Sequence, residues 1–116
     1  MATKIFGIKN CNTMKKTFQF FEENGMDYEF IDYKKKAPDV DLLAGFLSKT
    51  PLEELVNRRG TTYKKLSDEE KEQTMQQATA LPLLNEKSSM IKRPIIVFED
   101  GDVVAGFDEE AILAKK

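Results

Sequence analysis

Cys11 is the single cysteine of the chain, and a thiol that ionises is both a nucleophile and a redox group. It stands where a short apolar stretch, Thr3 to Ile8, turns through Lys9 and Asn10 into a helical pattern. Helix starts collect unpaired N–H groups and partial positive charge, and both favour a thiolate. Lys9, Lys15 and Lys16 add cations nearby. A free thiol has a pKa near ~8.5 and is only slightly ionised at neutral pH; such surroundings commonly lower that value by about one to several units. Against this stands the ordinary fate of a lone cysteine, which is to serve as a small buried hydrophobe.

A nucleophile also needs a group that holds what it attacks. Ile91-Lys92-Arg93-Pro94 supplies a candidate. A residue before proline is pushed into an extended conformation, and an arginine held so can grip an anion with two parallel N–H groups. The alternative for Arg93 is a surface ion pair with a carboxylate. Arg58 and Arg59 form a second cationic pair, in a stretch from Asn57 to Leu66 dense in donors and hydroxyls; their alternative is solvated loop charge. The chain has no histidine. Serine–histidine triads, cysteine–histidine proteases and histidine-rich metal centres are therefore excluded, and no metal site is expected.

Periodicity indicates the strands and helices on which these residues sit. Thr3 to Ile8 reads as a strand. Met14, Thr17, Phe18, Phe21 and Gly25 recur at helical spacing in a helix that begins near Thr13, and Asn24-Gly25 stops it. Asp27 to Tyr33 alternates as a second strand, with Tyr28 and Phe30 on one face. Together they predict a right-handed βαβ unit with parallel strands. Lys34-Lys35-Lys36 reads as a solvated strand end. The middle is helical: Pro38-Asp39 opens a stripe of Val40, Leu43, Phe46 and Leu47. Thr50 to Glu53 and Ser67 to Glu70 both match capping boxes, the first with proline at the opening helical position. The second opens a polar helix to about Ala80, after which Pro82 interrupts the pattern and Leu83 to Glu86 forms a short turn. Ile95 to Phe98, the Asp100-Gly101 turn and Val103 to Gly106 predict a hairpin, and Asp108 caps a final helix carrying Ala111, Ile112 and Leu113 inward. The sum is one α/β domain over residues 1–116, a mixed four-stranded sheet with helices packed on it.

Composition removes other classes. With 116 residues the chain supports one core. A net charge of -2 gives no basic field for nucleic acid. No apolar run approaches the ~20 residues of a membrane span, and the N-terminus lacks a secretory pattern. One cysteine cannot close an internal disulfide, so the expected location is cytoplasmic and the expected state a monomer.

GIKNCNTMKK, NRRGTTYKKL and IKRPIIV, in that order and spacing, resemble the ArsC/Spx/YffB family of thioredoxin-like proteins, most closely its YffB branch, from Ile5 to Leu113. The resemblance implies a thioredoxin-like fold with an all-helical insertion between strands 2 and 3, at about residues 38–90. It implies that Cys11 is the active thiol, with Lys9, Asn10 and Asn12 stabilising its thiolate. Arg93, Arg59 and Arg58 would bind the anionic substrate beside Pro94, which the fold implies is cis. The family's arsenate reductases place three arginines around the cysteine. Here Asn57 occupies the first of those positions, with Arg58 and Arg59 one and two places later, and Phe107 the third. The resemblance therefore implies that one or two of the charges are lost and that arsenate reduction is weak or absent. It implies instead a glutathione-dependent thiol/disulfide oxidoreductase with no bound cofactor and glutathione as co-substrate. A mixed disulfide on Cys11 would be resolved by an external thiol, with glutaredoxin as a further candidate partner. Two alternatives stand beside it: a Spx-like regulatory module that binds RNA polymerase, and a degenerate reductase without turnover. A CxxC switch is excluded, because Met14 occupies its second position.

Overall fold

The computed structural model describes residues 3–116. Its strands are β1 (Lys4–Gly7), β2 (Glu29–Asp32), β3 (Ile95–Val97) and β4 (Val103–Ala105). Its helices are α1 (Asn12–Glu23), α2 (Val40–Leu47), α3 (Leu52–Leu55), α4 (Thr61–Lys64), α5 (Asp68–Gln73), α6 (Gln77–Glu86) and α7 (Glu109–Leu113), with a 3-10 turn at Ser88–Met90. The chain forms two compact units: one runs to Asp32 and resumes over Arg93–Lys116, and the other is Tyr33–Lys92.

The first unit holds the sheet, in the order β2-β1-β3-β4. β1 and β2 are parallel, as the intervening helix requires, and the β1–β3 and β3–β4 pairs are antiparallel. Ile5 of β1 lies opposite Ile96 of β3, and both join Met14 and Phe21 of α1 and Ile112 of α7 in a fully buried cluster. Burying each such side chain contributes about 1.5–3 kcal/mol. The cluster ties α1 to β1, and so fixes where Cys11 stands. Tyr28, just before β2, and Phe30, within it, face α1, where the Phe18 ring stacks on Tyr28 at 5.3 Å and meets Phe30 edge-on at 5.1 Å. Gly25 ends α1 with φ 65°, a left-handed conformation that glycine adopts without strain. Asp108 caps α7 by accepting from the Ala111 N–H at 3.2 Å. Leu113 is 44% exposed rather than inward. Successive helical residues point about 100° apart, so a short helix that buries Ile112 turns its neighbour away.

The second unit is helical apart from a bridge between Val56 and Ile91. Asp39 caps α2 through the Leu42 N–H, and Leu43 and Phe46 are buried. Val40 is 42% exposed, so the buried stripe begins one turn later than expected. Of the two capping boxes only Ser67–Glu70 forms. α3 starts one residue later than its box required, and Thr50 Oγ1 donates instead to Glu54 Oε2 at 3.1 Å. The polar helix expected to reach Ala80 breaks after Gln73, where the Thr74 hydroxyl donates to the Lys71 carbonyl at 2.6 Å. Pro82 interrupts no helix: it lies inside α6, exposed, between buried Ala80 and Leu81 on one side and Leu83 and Leu84 on the other. Packing on both sides holds the helix through the lost N–H bond. The stretch from Asn57 to Leu66 contains a helical turn, α4, rather than loop alone.

The strand order, the βαβ start and the ββα end define a thioredoxin-like fold, with the helical segment inserted between β2 and β3. Among the described residues no helix is long and apolar enough to cross a membrane.

Candidate active site

Cys11 is the N-cap of α1, with extended backbone at φ −136° and ψ 132°, and its carbonyl accepts the first helical hydrogen bond, from the Lys15 N–H at 3.0 Å. That position aims the side chain across the opening turn, where the amides of N2 and N3 lack helical partners. Here those residues are Thr13 and Met14. Met14 is wholly buried and sets the depth of the turn. Gly7 makes this possible: a Cβ at that position would come within 2.5 Å of the Met14 sulfur. The glycine lets helix and strand approach closely beneath the thiol.

Cys11 is partly exposed, neither sealed in the core nor fully solvated. Burial pushes its thiol pKa up. The amides of Met14 and Thr13, the positive charge of Arg93 and the Thr13 hydroxyl pull it down, and together they win, leaving it below the ordinary thiol value. No formed hydrogen bond caps the helix through the neutral sulfur. These groups act on the anion, as donors and charge at a helix start should.

Arg93 belongs to the same unit and precedes β3, joined to buried Pro94 by a cis peptide bond. The Pro94 carbonyl is anchored by the Gly106 N–H at 2.8 Å. Among the described residues Arg93 has no carboxylate partner and no side-chain hydrogen bond, so its alternative as a paired surface arginine falls away. Its guanidinium remains available to an anion while its charge reaches the thiol. Lys9, Asn10 and Asn12 are exposed side chains; the groups that lower the thiol pKa are those of Thr13, Met14 and Arg93. A helix taken to begin near Thr13 hides the part played by Thr13 and Met14. Starting it at Asn12, with cysteine as the cap, singles out their amides.

Arg58 and Arg59 belong to the second unit. Arg59 is exposed and its amide donates to Asn57 Oδ1 at 3.3 Å. Arg58 is half-buried and donates to the Met75 sulfur. Phe107 lies edge-on to Phe20 at 5.6 Å and packs on the core cluster, so that position is apolar in place as well as in type.

A model of the ArsC family matches residues 6–115. An uncharacterized protein of Haemophilus influenzae is 35% identical over 106 residues, covering 91% of each chain. Among solved structures, the YFFB (PA3664) protein superposes with a TM-score of 0.90 at 34% identity over 98% of both chains. An arsenate reductase (ArsC) related protein from Brucella melitensis is 41% identical, with a TM-score of 0.76, over 98% of this chain and 93% of that one.

Proposed function

The chain belongs to the ArsC family, and from that premise we propose that it is a glutathione-dependent thiol/disulfide oxidoreductase with Cys11 as its nucleophile. The carrying observation is the thiol at the N-cap of α1, its pKa lowered by the opening amides and by Arg93, which is itself unpaired among the described residues. The Cys11 thiolate attacks one sulfur of a disulfide; the S–S bond breaks and the other sulfur leaves as a thiolate. The chain holds no second cysteine to resolve the mixed disulfide. A glutathione thiolate therefore attacks it, restoring Cys11 and carrying away the sulfur group as a new disulfide. Arg93 binds a glutathione carboxylate through charge-assisted N–H bonds.

Arsenate is a poor substrate under this reading. Asn57 and Phe107 carry no charge where arginines of the family's arsenate reductases would stand, and each charged hydrogen bond lost removes about 1.5–3 kcal/mol of binding.

The test is intact-protein mass spectrometry after incubation with oxidised glutathione across pH. A single glutathione adduct should form, appear below the pH at which free thiols react, vanish in Cys11→Ser, and need higher glutathione in Arg93→Ala. A folded protein that forms no adduct at any pH would overturn the proposal and leave a binding role for the domain.

A further inference from the structure

Arg58 makes an uneven set of contacts. Its Nη2 donates to Met75 Sδ across 3.4 Å, and its Nε is buried without a hydrogen-bond partner. Among the described residues it has no carboxylate in ion-pair range. A thioether is a weak acceptor, and a buried donor left unmatched is destabilising. The guanidinium is therefore short of acceptors. Both side chains line an open pocket of about 300 Å³ within the second unit, together with Pro51, Leu52, Glu53 and Thr74.

Among the described residues Met75 differs from the other methionines. It is 59% exposed, whereas Met14 and Met90 are 0% and 1% exposed, and Met26 is half-buried. Its backbone lies between α5 and α6, and Arg58 lies between α3 and α4.

We propose that Met75 is a redox-modification site, converted to the sulfoxide by hydroperoxides, with Arg58 binding the oxygen that is added. A sulfur lone pair attacks one peroxide oxygen, the O–O bond breaks and an S–O bond forms. Sulfur gives up two electrons, and the peroxide is reduced to an alcohol, or to water from hydrogen peroxide, with the leaving oxygen protonated by solvent. The product is polar where the thioether was not. Its oxygen is the strong acceptor that the guanidinium lacks, so oxidation tightens the link between the α3–α4 and α5–α6 connections. Neither Cys11 nor Arg93 takes part, and the proposal is independent of the thiol chemistry.

The experiment treats the whole protein with dilute hydrogen peroxide and maps methionine oxidation by peptide mass spectrometry. Thermal midpoints are measured before and after, for wild type, Arg58→Gln and Met75→Leu. Met75 should convert at least about tenfold faster than Met14 and Met90, following exposure. Oxidation should raise the wild-type midpoint relative to the shift seen in Arg58→Gln, and Met75→Leu should remove that difference. Conversion of Met75 no faster than the buried methionines would overturn the proposal. So would an equal midpoint shift with and without Arg58.

Discussion

At the scale of the residue, the chemistry turns on a contest at one sulfur. Burial alone would make Cys11 a poor nucleophile; two amides, a hydroxyl and a guanidinium reverse that. The rate of Cys11 alkylation by iodoacetamide should reach half its plateau below the pH found for a free cysteine, and Arg93→Gln should move that point upward. Stability should carry the same sign. A thiol whose pKa is depressed on folding adds stability that is fully present above its unfolded pKa and fades as pH falls through the folded value. Denaturant unfolding of wild type and Cys11→Ser should therefore diverge at alkaline pH and converge on acidification. Cys11 and Arg93 are legible in the sequence, because a cysteine at a strand–helix turn and an arginine before proline carry local signatures. Thr13 and Met14 are not, because an amide acquires a role only from the frame in which its helix begins.

At the scale of the element, β1 and α1 are pressed together at Gly7 and Met14 to place the thiol. Gly7→Ala should destabilise by about 1–3 kcal/mol, as overpacking of a filled site does, since the new methyl group would meet the buried Met14 side chain. Met14→Ala costs about 2–5 kcal/mol by itself through lost burial. The double variant should be less damaged than the sum of the two, measured by urea denaturation. The caps divide in an instructive way. Ser67 makes both bonds of its box, so Ser67→Ala should cost about 0.5–2 kcal/mol. Thr50 fits the same motif but spends its hydroxyl on Glu54. A capping motif in sequence offers a bond; the helix start decides whether it forms. Pro82 is the opposite case, a breaker overridden by the buried residues on either side of it.

At the scale of the whole molecule, the ArsC-family scaffold is kept, and under the proposed function Asn57 and Phe107 leave it short of charge for an oxyanion. Arsenate turnover in a coupled assay with glutathione should not exceed the blank, in the same preparation that forms the Cys11 adduct. The order of strands and helices is readable from periodicity, because alternating and 3.6-residue patterns are properties of neighbouring residues. Residue order alone establishes the one thiol available, the exclusion of histidine chemistry, the βαβ start and the hairpin end. Packing in three dimensions was needed to leave Arg93 unpaired among the described residues while its charge reaches the thiol, to lay Phe107 on the core, and to turn Leu113 and Val40 to solvent. The cause is distance along the chain: pairing, burial and charge at Cys11 depend on groups as far off as residue 93, whose approach is set by packing that no local pattern encodes.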